Sequence, residues 1–304
     1  MLKITEKTFR FDLFPLHLRP NPPKYNPMSL KVTPAPVPFP GASEKTYAKV
    51  PALMGIPGTT GVPDLIRKAA HQLDPYSPQI NADLEELTYT DYGNLTLHPD
   101  TVEENARLVG DACRAIMNTT AIPVFLARDA RYTASAIRAT ADRHPELTVI
   151  QMGARAHLLD EFEGQKWHAR TSMKRALDRL PITRLKNFGT RSGKKEEFDL
   201  IAGGETQISA EDLPSLGEQG LYLSLDLSVL DPCTAPGVFH PEPGGMTWEE
   251  FSKIVALIPW NTIKACDFVG LEPSGDHTGF SNLIAAKIAR EIILSLAKTP
   301  APQD

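Results

Sequence analysis

The feature that most constrains the fold is an alternation of short apolar runs with longer amphipathic stretches. Ala52–Ile56, Ile122–Leu126, Leu147–Gln151, Leu221–Leu225 and Ile263–Val269 are each five to seven residues long and apolar throughout or nearly so. Runs of that length without polar alternation predict strands buried on both faces, as in a parallel sheet. Between them the period changes to that of a helix. Residues 101–118 open with Thr101 and Glu104 in capping-box spacing and place Val102, Ala106, Val109, Cys113 and Met117 on one stripe. Residues 277–298 carry Ile284, Ile288 and Ile292 four apart and stop before Pro300. Alternating β and α elements predict an α/β fold, a three-layer α/β/α sandwich with a mainly parallel central sheet. In such sheets ligands bind beyond the carboxyl ends of the strands, so the loops there are where chemistry is sought.

The start of the chain reads differently. Between Pro15 and Pro51 the prolines include Pro20, Pro22, Pro23, Pro34, Pro36, Pro38 and Pro40. Each fixes φ and removes a backbone donor, which predicts an irregular, extended arm over residues 1–48, lying on the domain or on a neighbouring subunit, ahead of one α/β domain over 49–304. The first 18 residues lack a signal-peptide pattern, and no apolar run approaches the ~20 residues of a membrane span. A net charge of −5 with scattered Lys and Arg argues against nucleic acid as a partner. Cys113, Cys233 and Cys266 show neither disulfide pairing nor metal-site spacing. A cytoplasmic protein is expected, with no membrane partner.

The most specific motif is Ser224-Leu225-Asp226-Leu227-Ser228-Val229-Leu230-Asp231-Pro232, followed by Ala235-Pro236-Gly237 and Pro241-Glu242-Pro243-Gly244-Gly245-Met246-Thr247. It resembles the signature of the arginase/agmatinase/formimidoylglutamase (ureohydrolase) family, Ser-x-Asp-x-Asp-x-x-Asp-Pro and its continuation. Other segments resemble that family in the same order: Gly55-Ile56-Pro57 with residues 61–67, residues 160–164, residues 188–192, and Asp267-Phe268-Val269 with Pro273 and Asp276-His277. The resemblance spans residues 49–298. It implies the arginase/deacetylase-like fold, hydrolysis of guanidino groups, a pair of manganese ions, and assembly as a trimer or hexamer. Two divalent ions suit that chemistry because they lower the pKa of a shared water that must attack a poor electrophile.

Residue by residue, the ligands implied by the resemblance are mostly absent. Asp129-Ala130-Arg131 stands where the family has Asp-His-Ser, so Ala130 replaces a ligand histidine. Gly153, Arg155 and His157 replace the Asp, His and Asp of Asp-Ala-His-x-Asp. Asp226 is kept, but Ser228 replaces the second aspartate. Ala169-Arg170-Thr171 aligns with a His-Gly-Thr segment, and Gly270 with an active-site glutamate. Asp129, Asp226 and Glu242 are too few acids for a divalent pair, and Arg155 brings a fixed positive charge. The expected cofactor is therefore none, where the family norm is two Mn2+. Arg155 with Arg131 is expected to neutralise Asp226.

No catalytic residue is assigned on this reading. The remnant pocket comprises Asp129, Ala130, Arg131, Gly153, Arg155, His157, Asp226, Ser228 and Glu242. The reading is a catalytically inactive pseudoenzyme with a structural, regulatory or small-ligand-binding role. It would form a homo-oligomer or a mixed oligomer with an active paralogue. Two alternatives stay open. One is a C–N hydrolase of linear amidines with a remodelled single-metal site on His157 and Asp226. The other is a metal-free binder of an anionic small molecule, using Arg128, Arg131 and Arg155. Asp129, Asp160 and Asp231 are expected to tie loops or cap helices.

Overall fold

The computed structural model describes residues 7–8, 30–43, 45, 47–98 and 101–298. Eleven strands lie among them: β1 Lys7–Thr8, β2 Lys31–Thr33, β3 Pro51–Ile56, β4 Tyr76–Ser77, β5 Ala82–Asp83, β6 Thr90–Leu95, β7 Ile122–Ala127, β8 Thr148–Met152, β9 Leu185–Phe188, β10 Leu221–Asp226 and β11 Ile263–Val269. Seven α-helices alternate with them: α1 Val62–Ala70, α2 Val102–Asn118, α3 Thr133–Arg143, α4 Ser172–Ala176, α5 Lys195–Gly204, α6 Trp248–Val255 and α7 Phe280–Lys298. All five expected strands are present within a residue or two of their expected ends.

Nine strands form one sheet in the order β1-β2-β6-β3-β7-β11-β10-β8-β9, while β4 and β5 make a separate ribbon. From β6 to β9 every pairing is parallel, and only the β1–β2 and β2–β6 pairings at the edge are antiparallel. The apolar runs are continuous because both faces are covered. Leu53, Val124 and Leu126 join one buried cluster with Ile66 of α1 and Ile288 of α7. Their neighbours Ala52, Met54 and Phe125 point the other way, into a second cluster with Val109 of α2 and Ile137 of α3. Successive side chains on a strand alternate faces, so one strand feeds two cores. The protein is a three-layer α/β/α sandwich.

Two local expectations need qualification. Thr101 does stand at the N-cap of α2, but its hydroxyl donates to the Glu104 carboxylate at 3.2 Å and makes no side-chain bond to the helix backbone. The proline-rich segment is described from residue 30 onward. There Leu30, Val32 and Phe39 are buried, and Val32 and Thr33 pair with Leu95 and Asn94 of β6. Ahead of residue 30, apart from the β1 pairing with β2, the expectation of an arm lies outside the described residues.

The depth of the α1–β6 junction shows how firmly this edge is built. The Arg67 guanidinium is fully buried and donates to both Asp91 oxygens at 2.8 Å, to Asn94 Oδ1 at 2.8 Å and to the Gly93 carbonyl at 2.9 Å. A buried charge persists only when paired and fully hydrogen-bonded, and this one is.

Candidate functional site

Four adjacent strands, β7, β11, β10 and β8, deliver a pocket from their carboxyl ends. Asp226 is the last residue of β10 and pairs in register with Val269, the last of β11. Arg128, Asp129 and Ala130 follow β7 directly, and Gly153 follows β8. The pocket is lined by Asp129, Ala130, Arg155, His157, Ala169, Arg170, Asp226, Ser228, Phe239, His240 and Gly270. Its side chains close in tightly, leaving about 10 Å3 for the centre of a water-sized body. That is room for roughly one water molecule.

His157 is the structural key to this floor. Its backbone is left-handed, φ +56°, a region that few side chains other than Asn, Asp and His adopt. Neighbours hold it there. The His157 carbonyl accepts from Met173 and Lys174 N–H at 3.0 and 3.2 Å at the start of α4, and the next N–H, of Leu158, donates to buried Glu197 at 3.0 Å. The ring is thereby turned onto Asp226, with Nε2 3.5 Å from Oδ2. Asp226 Oδ1 accepts from the Ser228 N–H at 2.8 Å, and Ser228 Oγ accepts from Ala154 N–H at 3.1 Å. Burial works to raise the Asp226 carboxyl, but the His157 ring and the Ser228 donors outweigh it and hold the group below the usual aspartate range.

This arrangement corrects the expected arginine–Asp226 pairing. Arg155 donates instead to the His240 carbonyl at 2.5 Å and to Glu242 at 3.3 Å. Arg131 stays with Asp129, whose Oδ1 accepts the Arg131 backbone N–H at 3.0 Å and lies 4.0 Å from Arg131 Nε. The physical reason is the turn at His157, which fills the space beside Asp226 and leaves Arg155, two residues earlier, reaching the 240–242 loop. Arg128 is committed elsewhere, paired with Glu272 and stacked 4.4 Å from the Phe239 ring centroid.

Of the nine remnant-pocket residues, Asp129, Ala130, Arg155, His157, Asp226 and Ser228 line one cavity. Gly153 lies behind Asp226 and Ser228, Glu242 touches the pocket through Arg155, and Arg131 sits beside Asp129. The sequence reading left Ala169, Arg170, Phe239, His240 and Gly270 out of its pocket, though all five line it. Arg170 carried a signal, since it stands within the segment aligned with His-Gly-Thr. His240 had none beyond preceding the Pro-Glu-Pro-Gly-Gly turn. Asp231 ties that turn, accepting from Cys233, Gly244 and Gly245 N–H at 2.9, 2.8 and 3.1 Å. Arg191 straps the same turn to the strand end, donating to the Pro243 carbonyl at 3.0 Å and the Ser228 carbonyl at 2.9 Å.

The donor set does not fit a pair of divalent ions. Two such ions need several anionic oxygens and imidazoles converging on them. Among the described residues no three His, Cys, Asp or Glu side chains form such a group. The substituted positions are also packed. A Cβ added at Gly270, whose φ is +98°, would meet Asp226 Oδ1 at 2.3 Å and the Leu227 amide nitrogen at 2.9 Å. One added at Gly153 would meet the Gln151 amide at 2.8 Å and Asp226 Cβ at 3.0 Å. The side chains of Asp226, Gln151 and Ser228 and the Leu227 amide stand where a Cβ would go at these two positions.

This parallel α/β/α sandwich, with its pocket at the carboxyl ends of four central strands and the Ser228-x-x-Asp231-Pro232 turn at its edge, is of the ureohydrolase class. The arginase family model matches residues 51–295, and the chain belongs to the arginase family. It is 29% identical over 252 residues to an agmatinase of Bacillus cereus, covering 80% of this chain and 87% of that protein. It is 26% identical over 258 residues to a guanidinobutyrase of Pseudomonas aeruginosa, covering 79% and 81%. Among solved structures, the agmatine ureohydrolase of Thermoplasma volcanium superposes with a TM-score of 0.75 at 26% identity, over 86% of this chain and 94% of that one.

Proposed function

We propose that this chain is an arginase-family protein that does not hydrolyse guanidino groups and holds no metal pair, a pseudoenzyme that keeps the fold as a binding or regulatory body. The observation that carries this reading is the closure at Gly270 and Gly153, where even a Cβ would strike Asp226 or its neighbours. Loss of a ligand side chain alone leaves a hole that water or a neighbouring donor can fill. Here Asp226, Gln151, Ser228 and the Leu227 amide stand in that space, and Asp226 is satisfied within the chain. A single-ion site is the weaker reading, because Asp226 and His157 supply two donors and a stable site takes about four.

The test is elemental analysis of the purified protein before and after incubation with manganese and desalting, together with urea release from agmatine, 4-guanidinobutyrate and arginine. Less than about 0.1 metal per chain and no urea above a no-enzyme blank are expected. One or two retained metals per chain with urea release overturns the reading.

The regulatory part of the proposal concerns assembly, with a second copy of this chain or an active paralogue in a reducing cytoplasm, where the three free cysteines are at home. Light scattering at micromolar concentration is expected to show a trimer or hexamer. Monomer alone, both by itself and mixed with a paralogue, counts against it.

A further inference from the structure

Four neighbouring strands each give one buried polar residue to a single row across the sheet. Asp267 of β11 pairs in register with Ser224 of β10, Ser224 with Gln151 of β8, and Gln151 with Asn187 of β9. None of the four is more than 3% exposed. They share a face, because the residue two places earlier in each strand joins the second buried cluster: Ala265, Tyr222, Val149 and Leu185. Paired strands lie about 4.8 Å apart, which puts register partners on one face within side-chain reach.

This row is one donor short. Asp267 takes the hydroxyls around it: Tyr222 Oη donates to Oδ2 at 2.7 Å, Ser224 Oγ to Oδ1 at 2.8 Å, and Thr133 at the start of α3 donates as well. A serine hydroxyl has a single hydrogen to give. With that hydrogen spent on Asp267, the next residue along goes without: Gln151 Oε1 is buried and accepts no hydrogen bond. Buried polar atoms in folded proteins are rarely left in that state. Gln151 also reaches the pocket floor, since its Nε2 stands beside Gly153 and Asp226.

The titratable groups around Asp267 are Tyr222 and Asp226 from β10, Cys266 from its own strand and Cys113 from α2, and none of these is a cation. From β7 its register partner is Phe125, and from α3 it meets Thr133, neither of them titratable. Burial without a counter-charge pushes the carboxyl up to about 6.

We propose that Asp267, Ser224 and Gln151 form a proton-operated switch beneath the pocket. On taking up a proton, the Asp267 carboxyl donates to the Ser224 hydroxyl, and that hydroxyl turns its own hydrogen from Asp267 to the Gln151 amide oxygen. One proton is gained, one O–H bond forms, and the unmet acceptor is met. Ser224 is the relay because, of the three hydroxyls on Asp267, it alone has a register partner with an unmet oxygen. The acid form of the row is the complete one, and the ionised form leaves the gap at Gln151.

The experiment follows the full chain by NMR over about pH 4 to 8, with labels in the aspartate carboxyl carbons and in the Gln and Asn side-chain amides. The Asp267 carboxyl is expected to titrate with a midpoint near 6, and the Gln151 amide signals to move with the same midpoint. Asn187, anchored by its own donation to Thr206 Oγ1 at 2.9 Å, is the reference and is expected to stay in place. Ser224→Ala is expected to keep the Asp267 titration while Gln151 no longer follows it. Asp267→Asn is expected to stop the Gln151 movement altogether; should that variant fail to fold, the parent and Ser224→Ala decide the matter between them. The proposal is overturned by an Asp267 midpoint at the ordinary value of about 3.9, or by Gln151 signals that ignore the titration. Gln151 and Asn187 moving together, or Gln151 still following Asp267 in Ser224→Ala, overturns it equally.

Discussion

His157 Nε2 lies 3.5 Å from Oδ2 of Asp226, with both side chains buried at the carboxyl end of β10. The imidazole and the Ser228 donors let this carboxylate stay ionised away from water. The consequences can be measured.

His157→Ala leaves Asp226 buried with the Ser228 amide as its remaining close donor. We expect a loss of roughly 1–3 kcal/mol in urea unfolding at pH 7. The sign with pH follows from the lowered Asp226 group. Its contribution is present above the unfolded value of about 3.9 and fades as pH falls through the folded value. The difference between parent and His157→Ala should shrink in acid and be largest at neutral pH. An equal difference at pH 3 and pH 7 contradicts the pairing.

Asp267 behaves in the opposite sense. It is buried in β11, accepting from Tyr222 Oη at 2.7 Å and Ser224 Oγ at 2.8 Å, and burial pushes its carboxyl up to about 6. Between the unfolded value near 3.9 and this one, the folded protein keeps a proton that the unfolded chain has released. Its contribution is therefore full below about pH 4 and lost as pH rises through about 6. Asp267→Asn should flatten this decline, worth on the order of 2 kcal/mol, in unfolding curves taken from pH 4 to 8. A parallel decline in the mutant sinks the assignment.

Gly270→Ala places a methyl 2.3 Å from Asp226 Oδ1 in a backbone conformation that alanine resists. A cost of about 2–4 kcal/mol is expected, from strain and overpacking together. Relaxed stability in Gly270→Ala would mean that the pocket floor yields easily and that closure is a poor argument against inherited chemistry.

Arg67→Met tests the edge of the sheet. It strips Asp91 and Asn94 of buried donors and should cost about 3–5 kcal/mol, the range for breaking one side of a buried ion pair. Adding Asp91→Asn to Arg67→Met should recover part of that loss. No recovery would show that packing, not the unpaired charge, dominates.

Much of the layout was legible in the chain itself. The apolar runs at Pro51–Ile56 and Ile263–Val269 had to be sheltered on both faces, which selects a parallel sheet between helix layers. The signature from Ser224 to Met246 carried the family, and Ala130, Gly153 and Ser228 could be placed just beyond strand ends without coordinates. Strand β2, second from the edge, was hidden because Lys31–Thr33 is short and flanked by proline, and its pairing to β6 depends on residues some 60 positions away. A local pattern cannot report such a partner.

Sequence alone thus determined which groups stand at the strand ends, since identity and order along the chain are its content. Only the tertiary structure decided which of them meet. The left-handed turn at His157 is held by Met173, Lys174 and Glu197, distant residues whose hydrogen bonds outweigh the local preference for negative φ. That turn hands Asp226 to an imidazole and sends Arg155 to Glu242. Side-chain pairing over a few ångströms is set by the direction in which the backbone points each Cβ, and that direction is fixed by packing across the whole sheet.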